Sequence, residues 1–198
     1  MNLFFLDADA SACARYHADT HVVKMITEYG QMLSTCHRMV DGLPIETGNN
    51  RIKVRCLDGE VWDNDLKAYA RLDGGVVPYK VSHYNAPHNV WLRKSRANYE
   101  ALANLTLALC DEFEHRFGKE HLTGSSGLAL WLACNVPVGL ENGETTPPPV
   151  VIKDVDVIWP ATMQESVDGY RHVYRSSKKE LVSYSGGRSA PDWFNKGE

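Results

Sequence analysis

Apolar positions recur at helical spacing over much of the chain. Val22, Ile26, Tyr29, Leu33, Cys36 and Val40 follow one another at steps of four, three, four, three and four, which places them on one stripe of a helix facing a core. With Asp19 or Thr20 as its cap, this pattern predicts a helix running to about Val40. A shorter helix is expected over residues 9–17, behind the apolar run Leu3-Phe4-Phe5-Leu6, which reads as a brief buried extended segment. Residues 88–117 contain neither Gly nor Pro, and Leu102, Leu105, Leu109 and Phe113 keep the helical step until Gly118. Further helices are expected near residues 126–133 and 163–184.

Between these stripes the pattern changes twice. Residues 41–75 begin rich in Gly, Pro and Asn and continue with an alternating run at 51–57, Asp58-Gly59 and a second run at 60–62, which predicts a hairpin with an Asp-Gly turn. Residues 64–71 read as a short helix, and residues 76–83 as an extended segment leading to Asn85-Ala86-Pro87. Residues 137–156 form a loop rich in Pro, Gly and Thr, with a Pro147-Pro148-Pro149 spacer. The expectation is a mainly α, single-domain helical bundle over residues 1–198, with a small β-hairpin insertion at about 41–75.

Composition narrows the function classes. The 198 residues carry 21 Lys+Arg against 25 Asp+Glu, a net charge of −4, so only a local basic patch could hold a nucleic acid. The longest apolar stretches fall short of the roughly 20 residues of a membrane span. The N-terminus lacks the basic start and long apolar core of a signal peptide, so no membrane partner and a cytoplasmic location are expected. Five cysteines without a C-x-x-C pair argue against a disulfide framework and a zinc ribbon. His17 and His21, four apart, are weak metal candidates, with Glu28, His83 or His88 as the third ligand they would need, and no cofactor is expected.

Two clusters could carry chemistry. His21, Lys24, Glu28 and Gln31 form a polar stripe on a face of the first long helix away from the apolar one. In one reading Lys24 and Glu28 are a solvated pair; in the other the stripe lines a cleft where the carboxylate does acid–base work and the cations hold a phosphate. The second cluster lies between Tyr79 and Tyr99. It carries Lys80, Arg93, Lys94 and Arg96 without any acid, interleaved with His83, Tyr84, Asn85, His88 and Trp91, which suits phosphates and unstacked bases or a solvated helix face. Arg171, Arg175, Lys178 and Lys179 make a further basic strip.

On Ala18-Asp19-x-His21-Val22, with Glu28 seven residues beyond His21, the chain resembles the pyrimidine-dimer DNA glycosylases of the phage endonuclease V type. Val23-Lys24, Glu28, Gln31-Met32-Leu33 and the Asn85-Ala86-Pro87 element before Trp91 are similar to a bacterial branch of the same superfamily. The matched blocks cover about a third of the chain. The Pro191-Asp192-Trp193-Phe194 tail resembles the ends of phage proteins, which implies a phage branch acting in the infected host cell. The resemblance implies base excision: a primary amine attacks the sugar C1′, the base leaves, and elimination from the resulting imine nicks the strand. By this carry-over Glu28 is the catalytic carboxylate. His21, Lys24 and the patch of Lys80, His83, Asn85, His88, Trp91, Arg93, Lys94 and Arg96 hold duplex DNA carrying a damaged or modified pyrimidine. The family's nucleophile is an α-amine. Met1 is the candidate here and Lys24 its rival, since an α-amine with a reference pKa of about 7.7–8.0 is partly unprotonated at neutral pH while a lysine is not. The expected activity is therefore a DNA N-glycosylase, with or without lyase action. A nucleotide- or nucleoside-processing enzyme on the same fold and a non-enzymatic phage DNA-binding protein are the alternatives.

Overall fold

The computed structural model describes residues 2–45, 54–152, 157–177, 179 and 182–195. Among these, eight helices dominate and the β structure is confined to three two-stranded antiparallel ribbons. The mainly α class with small hairpins is therefore the observed one.

The central helix α2 spans Asp19–Val40 and buries Val22, Ile26, Tyr29, Leu33 and Cys36, all fully inaccessible. Its sequence periodicity is thus its packing face. Helix α4 (Arg96–Phe117) lies against it through Leu102, Leu105 and Leu109, and ends where Gly118 takes the left-handed conformation (φ +64) that closes a helix C-terminus. Helix α1 (Ala10–Tyr16), capped by the Asp9 carboxylate, packs on α4. Helix α3 (Pro87–Leu92) packs on α2, and α6 (Leu128–Cys134), preceded by the one-turn α5 (Leu122–Ser125), sits on α4 and α2. Helix α7 (Met163–Ser177) and the short α8 (Asp192–Asn195) close the other side.

Several expectations are corrected. The unbroken helix expected over 88–117 is two helices, because Ser95 caps α4 by accepting the Asn98 N–H at 3.1 Å. A serine cap competes well with continuation of the preceding turn. Asp19 is not the cap of α2; Ala18 holds that position, and Asp19 is drawn instead to Arg116 and Ser185. Residues 64–71 are not a helix. β3 (Glu60–Asp63) pairs with β4 (Ala68–Arg71), aligning Trp62 with Tyr69, while β1 (Leu43–Ile45) pairs with β2 (Val54–Cys56). The Asp58-Gly59 turn therefore joins two ribbons rather than the arms of one. Its cause is Glu60: the carboxylate turns inward, accepts the Leu57 N–H at 3.2 Å, and pairs with buried Arg38 at 2.7 Å.

The Pro-rich loop is built into the body. β5 (Val150–Val151) pairs with β6 (Val157–Ile158). Ahead of it the carbonyls of Thr146, Pro148 and Pro149 accept from Trp91, Ser166 and His88. Residues 3–6 thread into the core beneath α2 and α7, all buried. Arg171 of α7 fixes them by donating to the Leu6 carbonyl at 2.8 Å and pairing with Asp7 at 3.0 Å. Among the described residues no helix is long and apolar enough to cross a membrane.

Candidate active site around Glu28

An extended chain points alternate N–H groups to the same side. The N-terminal segment uses this against α2: Phe4 N–H donates to the Tyr29 hydroxyl at 3.0 Å and Asn2 N–H to Glu28 Oε2 at 2.7 Å. Burial of Leu3, Phe4, Phe5 and Leu6 thus holds Asn2 on the Glu28 carboxylate. The other oxygen, Oε1, lies 3.0 Å from Lys24 Nζ. The glutamate side chain is 14% exposed and the lysine 64%, so the carboxylate is walled in while the ammonium stands in solvent.

Behind this site lies a neutral polar layer. Burial lowers the His88 imidazole to about 4, against the raising influence of the Pro149 carbonyl and the Glu28 charge. A carbonyl only accepts, so the 3.0 Å contact from His88 Nε2 to Pro149 assigns the proton to Nε2. The Tyr170 hydroxyl donates to the same carbonyl. His21 stacks on Phe4 with ring centroids 4.8 Å apart, and its Nδ1 meets the Tyr174 hydroxyl. It is buried behind Glu28's helix face rather than displayed beside Lys24.

The remaining predicted residues separate into exposed and internal groups. Trp91 is fully buried against Phe5 and gives its indole N–H to Thr146, so its ring offers no surface for a base. Tyr99 is equally buried. Arg93 is half-buried and donates to the Tyr84 carbonyl at 2.7 Å. Lys80, His83, Asn85, Lys94 and Arg96 are exposed. Lys94 lies 4.6 Å above the Trp159 ring, Lys80 lies 5.7 Å from that of Trp62, and Arg96 pairs with Glu100 at 2.7 Å. The basic run is therefore dispersed over several surfaces. Of the strip on the last helix, Arg171 and Arg175 anchor Leu6 and Trp193, and Lys178 lies outside the described residues. So does Met1.

His17 closes α1, its Nδ1 2.8 Å from the Cys13 carbonyl, and burial drives it down to about 3. His17 and His21 belong to different helices with different partners, and among the described residues no group of three or more His, Cys, Asp or Glu is arranged for a metal ion.

Sequence reasoning missed Asn2, Tyr29 and the buried network of α4. There Arg116 binds Glu112, Asp19 and the carbonyls of Arg15 and His17, while Arg188 binds Glu112. The salt links hold Glu112 and Asp19 below the usual carboxylate range even though burial opposes this. No local motif encodes such a node, whose bonds join residues up to 101 positions apart in sequence. No protein-family model, no curated protein and no solved structure matches the chain.

Proposed function

We propose that the protein is a DNA glycosylase or glycosylase/lyase acting on damaged or modified pyrimidines, with Glu28 as its catalytic carboxylate. The observation that carries the reading is the 2.7 Å bond from Asn2 N–H to Glu28, which brings the beginning of the chain to a walled-in carboxylate. Met1, bonded to Asn2, supplies the amine. Its lone pair attacks C1′ as the C1′–N bond to the base breaks. The base leaves with the bonding electrons and takes up a proton while Glu28 stabilises the cationic sugar; the amine then loses a proton and the C1′–O4′ bond opens, its electrons and a proton going to O4′, as the C1′=N imine forms. In lyase action, removal of a C2′ proton expels the 3′ phosphate. Lys24 is the weaker nucleophile because its ammonium is committed to Glu28 at 3.0 Å.

Borohydride trapping on duplexes with intact, dimer-containing or modified pyrimidines, followed by mass mapping of the cross-link, tests this reading. The expected adduct lies on Met1. Glu28→Gln should abolish turnover and keep folding and most DNA binding; an active Gln variant, or no adduct and no base release on any substrate, refutes it. The second reading, a nucleotide- or nucleoside-processing enzyme, is favoured by the net charge of −4 and by the dispersal of the exposed cations. Its binding would fall less steeply with salt than duplex binding does.

A further inference from the structure

A cavity of about 520 Å³ opens between α2 and residues 77–82, walled by Tyr69, Val77, Pro78 and Tyr79, with Gln31 and Ser82 as polar lining. Its volume lies within the roughly 300–1,000 Å³ of small-molecule pockets. Tyr79 packs closely on α2 at Gly30: a Cβ there would stand 3.1 Å from the Tyr79 ring and 3.2 Å from Thr123, so a side chain at this position would make the tyrosine or the threonine shift slightly. Arg38 also borders the cavity, but its donors are spent on Glu60 and on the carbonyls of Arg55, Pro78 and Tyr79. Gln31 differs: its carboxamide has no hydrogen-bond partner among the described residues.

Directly after Ser82 of the lining stands a strained residue. His83 holds φ +48, the left-handed region that a residue with a side chain seldom adopts. The surrounding bonds enforce it. Asn89 Nδ2 donates to the carbonyls of Ser82 at 3.2 Å and His83 at 3.0 Å, and Ala86 N–H donates to His83 at 2.8 Å. Thr35 is bonded to both the N–H and the carbonyl of Ser82. The Ser82 hydroxyl lies 2.7 Å from His83 Nδ1, which fixes the ring while the residue stays exposed. Over-determined strain of this kind marks places where a side chain must be presented in one orientation.

We propose that this cavity is a nucleobase pocket. The base of a nucleotide, free or unstacked from a duplex, enters between Tyr79 and Tyr69, Gln31 reads its hydrogen-bonding edge, and the His83 imidazole with the Lys80 ammonium meets its phosphate. A carboxamide offers a donor and an acceptor side by side, the pairing that base edges present. Aromatic and apolar walls suit a flat heterocycle, and the Lys80 ammonium in the lining suits the anion attached to it. Gln31 lies three residues beyond Glu28, about one turn along α2. The choice of ligand class rests on the nucleic-acid reading above.

The test is calorimetric titration of the intact protein with dCMP and dTMP, and with a duplex carrying one unpaired pyrimidine. The variants are Gln31→Leu, Val77→Trp to fill the cavity, and His83→Gly, each first checked for folding by circular dichroism. Gln31→Leu should weaken binding about tenfold and blur the preference between bases, as loss of a paired polar contact does. Val77→Trp should abolish binding, and His83→Gly should weaken it without loss of fold. Sensitivity with free nucleotides, or with the duplex alone, supports the pocket and names the source of its ligand. Folded variants that bind like the parent, or a parent that binds neither ligand, overturn it. Base release that is indifferent to all three variants removes the pocket and leaves the glycosylase; Gln31-dependent nucleotide binding without base release on any DNA does the reverse.

Discussion

Acidification from pH 7.5 to 5 should cost this protein a large part of its stability, and three buried imidazoles set the size of the loss. His17 is lowered to about 3, and His37 and His88 to about 4, in each case because burial disfavours the cation. In the unfolded chain each titrates near 6.5. Below that value the unfolded state binds protons that the folded state refuses, so stability is complete above pH 6.5 and drains away as the pH falls toward the folded values. At pH 5 each histidine contributes a loss of about 1.36 × 1.5, or about 2 kcal/mol. The three together amount to about 6 kcal/mol, comparable with the roughly 5–15 kcal/mol of a whole domain. Carboxylates do not confuse the window, since Asp19 and Glu112 are held below their ordinary values and matter only in more acidic solution. Urea unfolding at half-unit pH steps reads the effect as a falling midpoint at constant m-value. Near pH 5.5 the slope should approach about 4 kcal/mol per pH unit, and His88→Gln, which keeps a donor for Pro149 but no titration, should remove about a third of it. A slope below about 1 kcal/mol per pH unit, or one untouched by His88→Gln, would refute the burial argument.

Three further outcomes are expected. Tyr29→Phe leaves the Phe4 N–H, 3.0 Å from the lost hydroxyl, buried and unpaired; thermal unfolding should show a loss of about 1–3 kcal/mol, and the proposed base release should fall because Asn2 loosens from Glu28. Glu60→Ala strands the buried Arg38 guanidinium, for a loss of about 3–5 kcal/mol by urea denaturation, whereas the double variant Arg38→Met, Glu60→Leu should recover much of it. His83→Gly releases a strained φ of +48 and should leave stability unchanged or raise it by up to about 1 kcal/mol; a clear loss would show that the conformation is not strained.

The helices were legible where periodicity and packing coincide. Val22 through Cys36 repeat at helical steps, and α2 ends at Val40 as its pattern predicts. Caps were less legible because side chains answer to distant partners. Asp19, a good cap by type, is claimed by Arg116, 97 positions away in sequence. Ser95 divides a Gly- and Pro-free stretch that propensity alone would leave whole. The hairpin misreading has the same origin, since Glu60's pairing with Arg38 is invisible to a local window. At the site, the Lys24–Glu28 spacing was readable from the helix, but His21 on the same polar stripe is covered by Phe4 and Tyr174. Polarity in a sequence does not state which way a neighbouring segment folds over it. Trp91 and Tyr99 show the converse: aromatics among cations looked like a stacking surface and instead fill the core.

The seating of residues 3–6 beneath α7 has a consequence for synthesis. Leu6 leaves the ribosome long before the guanidinium that holds its carbonyl, which belongs to Arg171, 165 positions later. At about 5–20 residues per second, roughly 8–33 seconds pass before that partner exists. Through that interval four large apolar side chains, Leu3, Phe4, Phe5 and Leu6, have no finished groove to occupy and are natural cargo for a chaperone. Truncated translation products would share this defect: released before α7, they would leave residues 3–6 without their Arg171 anchor.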